Sequence, residues 1–253
     1  MRNNRASLLC YDHGLEHGPF DFNLETCNPE RALNIALEGR WTGIVLHAGI
    51  AEKYYKSYFK EVPLIISLNA RSALPQTDPD AKLVCSVERA IKLGAAAVAY
   101  TIYDGSRFEE NMLKEFGAVV ETAHDYNLPV IAFMVPRGKF IHNELDINLS
   151  AYSARIALEL GADLCVLSYN GDFEGLKWVV ANAGRCKLLI SDLPQQEIKD
   201  SLIKVSSTLL AGGTGIAWGH TIWKHEKPFS VSRAIERILY HDDTVEDALK
   251  LIK

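Results

Sequence analysis

The chain has 253 residues, 48% of them apolar and 23% charged, with a formal net charge of −5. That apolar share fills a large core and excludes a disordered chain, while the mild acidity and the lack of basic runs exclude an electrostatic footprint for nucleic acid or an anionic membrane. No apolar stretch approaches the ~18 residues of a membrane span, and the opening MRNNRASLLCYDHG runs into a strand pattern where a secretory leader would carry its apolar core, so a cytoplasmic location is expected.

In chain order, apolar β-rich runs alternate with stretches of helical periodicity. The first run, residues 7–12, enters a DHG turn and a polar loop, and residues 29–39 follow with apolar side chains at i, i+3 and i+4. Runs at 43–49 and 63–70 come next, then a helix over 86–95, a run at 95–103 and a long helix over 109–127. The rest reads as a run at 129–135, a helix at 150–162, runs at 163–169, 187–193 and 215–219, and a helix at 232–240. Runs this apolar are buried on both faces, and parallel neighbours need a crossover between them. The expected fold is therefore α/β, one (β/α)8 TIM barrel spanning residues 1–253. A doubly wound open sheet is the alternative, but no GxGxxG follows the first run. Cysteines 10, 27, 85, 165 and 186 lack CxxC spacing and read as reduced core thiols.

In such a barrel the functional groups sit where the strands end, because the eight βα loops converge there. That rule selects Asp12 and His13, His47, Asn69, Tyr103 and Asp104, residues 135–138 and 169–172, Ser191 and Asp192, and Gly219 and His220.

Several motifs in register resemble one known family: YDHGLEHGPFDF at the start, GIAEKYY, AYTIYDGS, PRGK, AYSARIALELGAD, SYNGD and GGTGIAWGHTIW. Together they resemble the archaeal-type class I fructose-bisphosphate aldolases, which implies a homo-oligomeric barrel that needs no cofactor and cleaves a sugar phosphate through a lysine Schiff base. The resemblance sets that lysine three residues before the tyrosine of SYNGD, where this chain has Val166, and sets a proton-transfer tyrosine before PRG, where it has Val135. Asp12, the retained acidic residue of the first strand, is the surviving catalytic position. Ligand contacts are implied for His13, Tyr103, Ser191, Asp192, Gly213 and Gly219. A phosphate clamp of Ser-Gly-Gly and Gly-Arg is replaced by residues 191–193, Ser-Asp-Leu, and by Gly219-His220, while two further family lysines are Ala48 and Ser67.

The leading expectation is a pseudo-aldolase: a barrel with a binding or regulatory role and no Schiff-base chemistry. The alternative is an active lyase on a sugar phosphate or small carbonyl compound, using Asp12 with His47 or His220. In that case His47, Asp192, His220 and Asp12 are the residues that would hold a divalent ion, although no HxH or HExxH spacing supports one. A third possibility is assembly with an active paralogue. Asp12 and His13 have a structural alternative as turn caps, and Glu16 and His17 read as loop-stabilising. A His220–Asp192 salt bridge is expected to fill the vacated phosphate site, with Trp218 as aromatic fill beside it. Arg137 and Lys139 read as surface residues, and Lys177 as facing away from the pocket.

Overall fold

Alternation along eight parallel strands builds this molecule, because each strand sends successive side chains to opposite faces. The computed structural model describes residues 1–75, 77–192 and 197–252. The strands are β1 (Ala6–Cys10), β2 (Gly43–His47), β3 (Leu64–Ser67), β4 (Ala95–Ile102), β5 (Val130–Met134), β6 (Leu164–Leu167), β7 (Lys187–Ser191) and β8 (Gly215–Trp218). Each pairs in parallel with its chain neighbours, and β1 pairs with β8 (Leu9 opposite Trp218) to close the barrel. The expected (β/α)8 fold is thus the observed one.

Helices α1 (Pro29–Glu38), α2 (Ala48–Tyr54), α3 (Val87–Lys92), α4 (Glu109–Asp125), α5 (Ile147–Glu159), α6 (Phe173–Ala183), α7 (Ile198–Leu210), a single-turn α8 (His220–Trp223), α9 (Pro228–His241) and α10 (Val245–Leu249) fill the connections. Among the described residues, no helix is long and apolar enough to cross a membrane.

Two cores result. Leu8, Cys10, Val45, Ile65, Ala99, Ile131, Val166, Leu189 and Ala217 pack inside the barrel, and a larger outer core joins strands to helices through residues such as Leu9, Ile44, Ile66, Tyr100, Phe116, Ile216 and Trp218.

Trp218 corrects an expectation: it lies one residue past lumen-facing Ala217 and is buried in the outer core, so it does not fill the ligand space. The expected run at 63–70 also stops early. After Ser67 the chain turns into a two-stranded hairpin, Asn69–Ala70 with Lys82–Leu83. Asn69 drives that turn by donating from Nδ2 to the Thr101 carbonyl at 2.7 Å while its Oδ1 accepts from the Thr101 N–H at 2.7 Å. Asn69 thereby leaves the ladder of β3 and braces β4. The run at 187–193 ends as a strand at Ser191, and Leu193 lies outside the described residues. Of the thiols, Cys10, Cys85, Cys165 and Cys186 are buried as expected, whereas Cys27 is exposed.

Candidate functional site

At the C-terminal ends of the strands the lumen-facing residues become small and polar, with Ser67, Thr101, Ser168 and Ser191 lining the space above the apolar barrel interior. Small side chains leave space, and a cavity of about 960 Å³ opens there. Asp12, His13, Glu16, His47, Tyr103, Val135, Ser191, Asp192 and His220 all line it, so the strand-end rule collects most of the expected site residues in one place. The Ser168 and Ser191 hydroxyls lie 3.1 Å apart across β6 and β7. His47 Nδ1 is 3.3 Å from the Ser67 carbonyl, a contact that orients the ring from the neighbouring strand. Val166 is 2% exposed and packs in the apolar interior. The Cys10 thiol also lines the cavity, but burial pushes its pKa well up, reinforced by the negative charges of Asp12 and Asp192, and a neutral thiol is a poor nucleophile.

Gly213 does not belong with these residues. It precedes β8, so it sits at the opposite end of the barrel, where its N–H donates to the Thr208 carbonyl at 2.8 Å. Gly219, after β8, is at the mouth and has a steric reason to be glycine: a Cβ there would come 2.6 Å from the Cys10 carbonyl oxygen and would collide with the His13 ring.

One wall of the mouth is built by the first loop folding against α8. Residues 14–21 form a helical turn followed by a 3-10 turn, which brings His13, His17 and Asp21 together at successive four-residue intervals. His17 Nδ1 is 2.8 Å from Asp21 Oδ2, His220 Nε2 is 3.0 Å from the same oxygen, and Lys224 Nζ donates to Asp21 Oδ1 at 2.6 Å. The His13 and His220 rings meet edge to face with centroids 4.1 Å apart. Burial pushes the His220 pKa down to about 4; the neighbouring His13 adds to that effect, while Asp192 and Asp21 oppose it. Burial alone would raise Asp21, but hydrogen bonds from Lys224 and His17 outweigh it and hold the carboxyl well below its usual range.

The expected His220–Asp192 salt bridge is therefore not formed, because His220 turns to Asp21. Asp192 Oδ2 instead accepts from the backbone N–H of Gly219 at 3.1 Å and of Thr221 at 3.0 Å. The set expected for a metal ion is rearranged in the same way. Among the described residues, the His17, Asp21 and His220 ligand atoms lie within 4.8 Å of one another, and Asp12, His47 and Asp192 stand outside that group.

The β4 and β5 side of the mouth carries two arginines, Arg71 and Arg137, set against the carboxylates of Glu16 and Glu144. Tyr103 donates its hydroxyl to Glu16 Oε2 at 2.6 Å, Arg71 lies over the Tyr103 ring at 5.7 Å, and Arg137 grips Glu144 through Nε and an Nη at 2.8 and 2.9 Å. Burial raises the Tyr103 pKa, and the Glu16 carboxylate raises it further. Arg137 lines the cavity and so is not the purely surface residue expected, because the PRG turn folds back over β4 with Arg137 N–H bonded to the Asp104 carbonyl at 3.0 Å. Lys139 and Lys177 are outside the cavity, as expected, and Lys177 pairs with Glu174 at 2.8 Å. Asp104 turns away from the cavity, accepts from Ser153 Oγ and leaves Oδ1 without a partner.

Asp21 and Lys224 are among the cavity residues that strand-end reasoning passes over, since neither ends a strand. For Asp21 the available signal was the His-x3-His-x3-Asp spacing in YDHGLEHGPFDF.

The pattern of the DeoC/LacD family aldolases matches residues 6–225. The class 1 fructose-bisphosphate aldolase of Thermoproteus tenax is 39% identical over 253 residues, covering 99% of this chain and 95% of the relative. Its counterpart from Halobacterium salinarum is 36% identical over 250 residues, covering 98% and 95%. One solved archaeal fructose-1,6-bisphosphate aldolase, with its catalytic lysine covalently bound to the carbinolamine intermediate of its substrate, matches with a TM-score of 0.90 at 40% identity, covering 94% of this chain and 95% of that one. An identity sustained end to end, on a barrel of the same shape, means that this chain belongs to the DeoC/LacD aldolase family and is similar over nearly its whole length to the archaeal class I fructose-bisphosphate aldolases.

Proposed function

We propose that this chain binds a small polar carbonyl compound or sugar phosphate in the barrel mouth without forming a Schiff base on β6, as a pseudo-aldolase with a binding or regulatory role. The carrying observation is Val166, an apolar side chain packed in the barrel interior at the position that the resemblance assigns to the Schiff-base lysine. An alkyl group offers no lone pair to attack a carbonyl and no nitrogen to become the iminium electron sink.

Two further features support the reading. Val135 lines the cavity where the resemblance assigns a proton-transfer tyrosine. The Asp192 carboxylate also takes the backbone N–H groups of Gly219 and Thr221, on the loop where the family is expected to hold phosphate, so a negative charge already occupies part of that clamp. The homo-oligomeric state implied by the resemblance is part of the proposal.

The test is cleavage of fructose 1,6-bisphosphate, combined with borohydride reduction of the mixture and intact-mass analysis. The expected outcome is neither cleavage nor a mass increment. A reduced ketose adduct would overturn the proposal by revealing a working amine elsewhere, with Lys224 and Lys199 lining the cavity among the described residues.

A second reading has its own observation. The mouth is open, because Trp218 faces the outer core, and Asp12, His47 and His220 all line it. On that reading the chain is a lyase for a small carbonyl compound with Asp12 as the base, and turnover without a trapped adduct would select it.

A further inference from the structure

We propose that His17, Asp21 and His220 form a binding site for a divalent transition-metal ion at the rim of the barrel mouth. The proposal does not depend on whether the barrel carries a Schiff base.

The geometry converges on one oxygen. Asp21 divides its carboxylate, with Oδ1 held by Lys224 at 2.6 Å and Oδ2 facing both His17 Nδ1 at 2.8 Å and His220 Nε2 at 3.0 Å. The contact to His17 is a hydrogen bond, while His220 Nε2 meets the same oxygen as an ion-pair contact without hydrogen-bond alignment. A buried imidazole nitrogen with a misaligned partner is incompletely satisfied. A cation set between the three atoms satisfies it together with the carboxylate.

Two of the three spacings are close to what an ion needs, and the third lies within 4.8 Å. Metal–ligand bonds of about 2.0–2.2 Å at tetrahedral angles put ligand atoms about 3.3 Å apart, so the two contacts to Oδ2 have to open by only about 0.4 Å. His17 is exposed and sits on a single helical turn, so its side chain is able to make that adjustment. Lys224, on the other carboxylate oxygen, then acts as the outer partner that fixes the ligand's orientation.

Two imidazoles with one carboxylate select a borderline ion such as Zn²⁺, Co²⁺ or Fe²⁺ over Mg²⁺ or Ca²⁺, which prefer oxygen ligands. Three protein ligands leave a coordination position open. All three residues line the cavity, so that position is available to an oxygen donor of the bound compound.

The test uses the full chain without an affinity tag, stripped with chelator and titrated with Co²⁺ and then Zn²⁺. The expected result is one equivalent of Co²⁺ with visible d–d absorption, displaced by Zn²⁺. His17→Ala and Asp21→Ala should each weaken binding by at least about tenfold, with unchanged far-UV circular dichroism reporting intact folding. His124→Ala, which removes the exposed imidazole paired with Asp163, should bind as the parent does. Absence of saturable binding to the parent chain, binding that survives His17→Ala and Asp21→Ala, or loss of binding in His124→Ala would each overturn the site.

Discussion

At Asp104 the carboxyl follows Tyr103 out of β4 but turns into the barrel wall, where burial raises its pKa from 3.8 to about 6 even though Ser153 donates to it. A carboxyl raised on folding ionises first in the unfolded chain, so the contribution of this group to stability is fully present below 3.8, falls as pH rises from 3.8 to about 6, and stays level above that. The loss contributed by this group is about 3 kcal/mol at full development. Denaturant titrations across this range should therefore show the parent chain losing about that much stability relative to Asp104→Asn, which cannot ionise. Parallel pH profiles for the two proteins would remove Asp104 as the cause. Its identity was legible in the sequence as a strand-end acid; its inward turn was not, because Ser153 lies 49 residues away on α5.

At the scale of elements, the end of β7 is tied to α8 by one side chain. Asp192 satisfies the Gly219 and Thr221 N–H groups, so Asp192→Ala strands two partly buried donors and should cost about 1–2 kcal/mol. Asp192→Asn keeps an acceptor and should cost less. Equal urea midpoints for Asp192→Ala and the parent would show that water replaces the carboxylate without loss. The helices that periodicity misses have identifiable reasons. The buried face of α7 includes Ser201 and Thr208, whose hydroxyls bond to carbonyls four residues back at 3.3 and 2.7 Å, so polar letters stand where apolar ones mark a helix. In α6 the exposed Trp178 has the opposite effect, adding an apolar letter on the solvent side and blurring the stripe.

For the whole molecule, the proposed homo-oligomer gives a simple expectation. Light scattering during size exclusion should return a multiple of the 28.2 kDa chain mass, and a mass of one chain would sink it. Among the described residues, Phe20 and Leu24 are 93% and 98% exposed on the first loop, which makes that loop the first place to look for cover in an assembly. Any such contact would also brace the segment carrying His17 and Asp21.

The sequence by itself determined the barrel, because eight apolar runs separated by crossover lengths admit few arrangements and periodicity is a local property. It also determined which strand ends meet at the mouth, since closure with parallel strands follows from chain order. Tertiary structure alone decided the partners. His220 had two carboxylates within reach and took Asp21, because the first loop folds back as helical turns and brings that oxygen to 3.0 Å, while Asp192 was already engaged by two backbone donors. The single-residue offset between Ala217 and Trp218 likewise decided that the cavity stays open, and that offset is fixed by strand register against β1 and β7. Pairings between residues about 200 positions apart rest on loop geometry and on competition between donors, and neither is written in local periodicity.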